Sequence, residues 1–294
     1  MYKYQAIKEL SEEKHYPVQR LCSYLNLSRS AYYRWLNHPV SFSEKYNKKI
    51  AEKIKYIHEE HPDMGYRRIR DELDKNHGIA VNDKRILRIC RSEKIQSTIK
   101  WKPKSCTRNS PDPAHIAKNY LNRNFHADAP NEKWLTDVTE FKYYIDVEVH
   151  KIYLSAILDL YDRRIVAYKI SEHNDNQLVM NTFDEAVTLE PDAHPLFHSD
   201  RGCQYTSRQF SLKLKKHHMK QSMSRVAHCI DNGPMEGFWG ILKREMYYVK
   251  HFTSKANLSN AIESYINYYN KERIQRKLQL MTPAEYHENF YAAA

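Results

Sequence analysis

The chain predicts a mixed α/β sheet domain preceded by helical, helix-turn-helix-like modules. Three observations carry this. From Lys133 onward, short runs of β-branched, aromatic and aliphatic residues alternate with turn signals and then with helical patterns. Before residue 96 the apolar residues recur at helical spacing, with basic residues between them. Residues 1–130 hold 26 Lys/Arg against 15 Asp/Glu, so the whole formal net charge of +11 belongs to them.

In chain order, Val18, Leu21, Cys22 and Leu25 share one face of a short helix, and Ser28 is placed to cap a second that carries Ala31, Tyr32 and Trp35. Two short helices joined across Asn26-Leu27 fit a helix-turn-helix over residues 1–40, whose second helix would offer Arg29 and Arg34 to DNA. An ordinary helical hairpin fits the same pattern. Over residues 44–95, Ile50, Ile54 and Ile57, then Tyr66, Ile69 and Leu73, then Ile86, Ile89 and Cys90 mark three more helices. Their outer faces carry Arg67, Arg68, Arg85 and Arg88, candidates for phosphate contact whose affinity would fall steeply with salt. Residues 96–131 lack a period and contain Pro103, Pro111, Pro113 and Pro130, which reads as a basic linker. The α/β sheet domain is expected over 132–250, with strands at 134–141, 152–159, 165–171, 196–199 and 220–224 and helices at 176–189 and 207–217. A helical extension over 251–294 carries an apolar stripe through Leu258, Ile262, Tyr265 and Tyr269.

Composition removes several classes of function. The five cysteines form no Cys-x-x-Cys pair, which argues against a disulfide framework or a zinc ribbon. No apolar run is long enough to span a bilayer, and the first ten residues are polar and basic. A cytoplasmic protein acting on DNA, with no membrane partner, is the expectation.

Chemistry concentrates in three acids: Asp137 within Trp134-Leu135-Thr136-Asp137, Asp200 within His198-Ser199-Asp200-Arg201-Gly202, and Glu236 within Gly233-Pro234-Met235-Glu236. Two follow strand-like runs and the third falls just inside a helix start. Singly, each has a plainer reading: an edge-strand acid, a turn aspartate and a helix-capping glutamate. Together they suit Mg²⁺ or Mn²⁺, hard cations that take a few carboxylates and complete their shell with water and substrate phosphate. Lys243 returns to nearly the same helix face two turns after Glu236, where a cation could hold DNA.

With thirty-five residues between Asp200 and Glu236, these contexts resemble the DDE transposases and retroviral-type integrases, whose core is ribonuclease-H-like. The fuller pattern is most similar to the second-reading-frame (OrfB) product of insertion sequences of the IS-three family. It includes the stretch from His58 to Ile69, Pro130 to Asp137, His198 to Tyr205, Tyr268 to Arg273 and Leu280 to Tyr286.

That resemblance implies a transposase in which Asp137, Asp200 and Glu236 hold two Mg²⁺ or Mn²⁺ ions for nicking element ends and for strand transfer. Lys243 would touch DNA near the end. It also implies element-end and target DNA as partners, a homo-oligomer on paired ends, and the upstream-frame (OrfA) product or its fusion. Residues 1–60 show no sustained heptad repeat. A nuclease limited to hydrolysis and a non-catalytic DNA-binding regulator are the rival readings.

Overall fold

The computed structural model describes residues 2–37, 41–99, 115–225 and 229–293. They fall into two compact units, 1–56 and 57–294, divided inside a long helix rather than near residue 40. Most of the stretch read as a linker, residues 100–114, lies outside the described residues.

The first unit contains α1 (Tyr2–Lys14), α2 (Val18–Tyr24), α3 (Arg29–Leu36) and most of α4 (Phe42–Glu60). Helix α1 was not foreseen; only Ile7 of its thirteen residues is buried, so its apolar face is too thin to register as a period. Ile7, Cys22 and Tyr32 form one buried cluster of this unit, with Tyr4, Leu21 and Trp35 packed around them. Asn26, at φ +52°, makes the turn between α2 and α3. Ser28 occupies the cap position, but its hydroxyl pairs with Ser30 Oγ at 2.7 Å instead of with the helix backbone.

The second unit opens with the end of α4, then α5 (Tyr66–His77) and α6 (Asp83–Ser92). Helix α5 ends on Gly78, whose φ of +62° is the left-handed cap that glycine adopts without a Cβ penalty. Asn82 caps α6 by accepting from Arg85 N at 2.8 Å.

The sheet follows, with strands β1 (Lys133–Ile145), β2 (Glu148–Asp159), β3 (Ile165–Ser171), β4 (Leu196–Ser199) and β5 (Lys220–Met223), in the order β3-β2-β1-β4-β5. β1–β2 and β2–β3 are antiparallel, while β1–β4 and β4–β5 are parallel. Alternation along the strands loads both faces. Trp134, Ile157 and Phe197 pack with α7 (Asn176–Leu189) and α8 (Arg208–Lys216). Leu135, Ala156 and Leu158 pack on the other face with α9 (Gly233–Leu242), a π-helical turn (Lys243–Tyr247) and α10 (Lys255–Lys271). Helix α11 (Pro283–Ala293) is the last element, and Asp162 Oδ2 accepts from His287 Nδ1 at 2.7 Å.

Residues 115–131 are irregular, yet they are packed: Leu121 and Ala127 lie in the core, and Ser222 Oγ accepts from the backbone N–H groups of Tyr120 and Leu121. Side-chain acceptors replace a strand ladder here, which is why no period marks the segment.

Candidate active site

β1 and β4 run parallel through Leu135↔His198, the last pair of their register. Asp137 and Asp200 each lie two residues beyond that pair. Because side chains alternate with a period of two, both acids continue the Leu135/His198 face of the sheet, at the end where the two strands part. That face is the one covered by α9.

Each acid is held. Oδ2 of Asp137 accepts from the indole Nε1 of Trp239 at 3.0 Å, and Oδ1 of Asp200 accepts from the backbone N–H of Gly202 at 2.8 Å. A Cβ at position 202 would lie 3.0 Å from both Asp200 Oδ1 and Gln204 Oε1, a tight contact that glycine avoids. Beneath the pair, buried Tyr205 shares a hydrogen bond with Thr136 Oγ1 at 3.2 Å, and Thr136 Oγ1 donates to Ala156 O at 2.9 Å.

Burial pushes the Asp137 carboxyl up to about 7, and the neighbouring Asp200 charge adds to the rise. The Val138 N–H and the Trp239 indole pull the other way, and Glu236 adds a further repulsion. Asp200 is also raised, by burial. Two oxygen donors crowded until their negative charge is disfavoured are suited to a hard cation, which would remove the conflict.

Glu236 stands exposed on the first turn of α9. That helix is set against β1 by Asn232, whose amide donates to Thr136 O at 3.1 Å. Asp231, fully buried, accepts from Arg225, Arg123 and Asn119 and so pins the approach to α9. Among the described residues no three His, Cys, Asp or Glu side chains are close enough to enclose an ion by themselves.

Lys243 opens the π-helical turn directly after α9, a departure from α geometry of the sort that gathers at functional sites. Its ammonium lies 5.1 Å from the centre of the Phe141 ring. Burial lowers its pKa, and the charges of Asp137 and Glu140 partly restore it.

The other basic residues singled out from the sequence are dispersed. Arg29 and Arg34 are exposed on α3, Arg67 is exposed on α5 and Arg88 on α6, while Arg85 is half-buried. Arg68 is turned inward, donating to Glu245, Asp63 and Tyr268 at 2.8–2.9 Å, so its guanidinium is engaged by protein. Sequence reasoning missed Trp239, Tyr205 and Asp231. For Trp239 a signal existed, since it lies three residues after Glu236 on the same helix.

Residues 127–229 match the model of the integrase core domain, residues 236–290 a second integrase core domain model, and residues 45–103 an HTH-like domain. Fold, site and these matches define a polynucleotidyl transferase of the integrase-core class. The chain is 38% identical over 290 residues to the InsK protein of insertion sequence element IS150 from Escherichia coli (strain K12), covering 97% of this chain and 99% of that one. It is 33% identical over 242 residues to the transposase of insertion sequence element IS904 from Lactococcus lactis subsp. lactis (strain IL1403), covering 81% and 92%. The chain belongs to the insertion-sequence transposase family, of the IS150/IS3 type. Among solved structures, the HTLV-2 integrase catalytic core domain in complex with magnesium (trimeric form) aligns at TM-score 0.44 and 22% identity, over 55% of this chain and 99% of that one.

Proposed function

We propose that Asp137, Asp200 and Glu236 are the catalytic acids of this transposase and that they hold two Mg²⁺ or Mn²⁺ ions for nicking at the element's ends and for strand transfer into target DNA. The observation that carries this is the placement of Asp137 and Asp200 on one sheet face, each two residues past the last β1–β4 pair, with the charge of Glu236 felt at Asp137. Bound there, the ions would supply an activated water or 3′-hydroxyl and stabilise the leaving oxygen of an in-line displacement. Trp239 and the Gly202 N–H orient the two aspartates, and the Asn232 amide holds the helix that carries Glu236.

Lys243 is the DNA contact nearest these acids, and Arg29, Arg34, Arg67, Arg85 and Arg88 spread further contacts over the helical modules. The protein acts in the cytoplasm, on the nucleoid, as an oligomer on paired ends, with the upstream-frame product or its fusion as a further partner. Among the described residues no helix is long and apolar enough to cross a membrane.

The test is a strand-transfer assay with labelled DNA bearing the element's own ends. Wild type should nick and join in Mg²⁺ or Mn²⁺, whereas Asp137→Asn, Asp200→Asn and Glu236→Gln should lose both steps and keep DNA binding. Hydrolysis without joining would favour a nuclease. Binding with no chemistry, even with the upstream-frame fusion supplied, would favour a regulator.

A further inference from the structure

A groove of about 550 Å³ runs between α5 and the end of α9, with Tyr66, Arg67, Ile241 and Arg244 in its walls. Four guanidiniums line it, those of Arg67, Arg68, Arg244 and Arg273, against the two carboxylates of Asp63 and Glu245. The four differ in what they have left to give. Arg68 and Arg273 are spent on Glu245, and Arg68 also on Asp63. Arg67 directs Nε to Tyr66 Oη at 3.1 Å and lies over that ring, while Arg244 directs Nε to Gly240 O at 2.8 Å. The terminal nitrogens of Arg67 and Arg244 have no hydrogen-bond or ion-pair partner among the described residues. Two anchored guanidiniums with donors to spare, in a groove of positive excess, form a fork geometry suited to phosphate oxygens.

The groove's walls are also fixed to each other. Arg68 reaches Glu245 at 2.9 Å, Arg276 holds Asp71 at 2.7 Å and Asp83 at 2.8 Å, and Lys75 pairs with Glu285. The first pair fastens α5 to the turn that carries Lys243 and Arg244, and the others hold α5 and α6 to the C-terminal segment at Arg276 and Glu285. Arg244 directly follows Lys243 and lies eight residues after Glu236.

Resting on the assignment of the acids above, we propose that this groove binds the phosphodiester backbone of the element's own end, with Arg67 and Arg244 gripping phosphates next to the nick. A rigid span between a gripped phosphate and the acids makes cleavage fall at a constant distance. Constant distance matters for the element's end, whose nick position must not vary, and not for target DNA.

The test uses full-length protein, without divalent metal, on a duplex of the element's terminal repeat and on a scrambled duplex of equal length. Wild type is compared with Arg67→Gln, Arg244→Gln and Arg244→Lys in salt titrations and in phosphate-ethylation interference. Each Gln variant should reduce the slope of log K against log salt on the terminal duplex by about 1. Each should also erase interference at phosphates within a few nucleotides of the nick, while Arg244→Lys, which keeps the charge, keeps the slope. Unchanged slopes and footprints in both Gln variants would overturn the proposal, as would a loss confined to the scrambled duplex. Because no metal is present, neither result depends on whether the acids prove catalytic.

Discussion

The Nε1–H of Trp239 donates a 3.0 Å hydrogen bond to Oδ2 of Asp137, tying a helix to the strand end where the first acid stands. The indole takes one lone pair of Oδ2 and restrains the carboxylate's rotation. Partners of this kind tune a metal site although they never touch the ion.

Replacing the indole with a ring that cannot donate should therefore show in metal affinity. Trp239→Phe is expected to weaken Mn²⁺ binding by roughly 10-fold or more, with the fold intact. Calorimetric titration of Mn²⁺ against metal-free protein, beside circular dichroism, checks this. Equal affinity in the variant would remove Trp239 from the site.

The raised acids also set a pH dependence. Asp137 ionises near 3.8 in an unfolded chain and near 7 when folded, so the folded state binds the extra proton between those values. Below pH 3.8 the group is neutral in both states and has no effect. As pH rises through this window the unfolded state gains the advantage, at about 1.4 kcal/mol per pH unit for an isolated group. Asp137→Asn should accordingly raise the melting temperature at pH 8 and leave it nearly unchanged at pH 3.5. Saturating Mg²⁺ should stabilise wild type at pH 8 more than the variant.

Glu245 is buried among Arg68, Arg273 and the Tyr265 hydroxyl. Burial alone would push its carboxyl up, but the hydrogen bonds and charge of Arg273, with the charge of Arg68, hold it below its ordinary value. Glu245→Ala leaves two guanidiniums facing one another without their shared partner, and a loss of about 3–5 kcal/mol is expected in urea unfolding. Arg68→Ala should cost less, because Arg273 still satisfies Glu245.

Asp231 makes a different prediction. The hydrogen bonds from Arg225, with help from Arg123, hold its carboxyl far below the ordinary range despite burial. A depressed carboxylate stabilises the fold above pH 3.8, and that contribution is lost as the pH falls through the folded value. Asp231→Asn should lower the melting temperature at pH 7, and the gap from wild type should narrow steadily in acid. Single-turnover nicking should fall at the same time, with end-DNA affinity retained, because Asn232 and Glu236 follow directly on the weakened segment.

What could be read from residues alone depended on where each element's partners lie. β3, α7 and β4 have the boundaries expected of them, since their apolar runs are complete and Asp175 caps α7 through Leu178 N. β1 and β2 run longer than expected, to Ile145 and from Glu148, because those ends pair across the hairpin and mix Lys142, Glu148, His150 and Lys151 with apolar residues without a clear alternation. The acid trio stood out through its local contexts. The inward turn of Arg68 did not, for its partner Glu245 lies 177 positions away and nothing local separates that arginine from Arg67. Likewise Tyr205 carried no mark of its place beneath Asp137, which only the closing of the sheet creates.

The extended β1–β2 hairpin has a practical use. β2 meets β3 only from Tyr153 onward, so residues 142–152 form a two-stranded ribbon beyond the rest of the sheet. Its tip turns at Asp146, φ +52°, with Val147 95% exposed, and the last backbone pair is Ile145↔Glu148. A residue added within β1 ahead of Asp137 would turn that acid to the opposite sheet face, whereas residues added at the tip displace no buried backbone. The hairpin tip is thus the natural anchorage for a fluorophore or affinity handle with which to follow assembly on DNA.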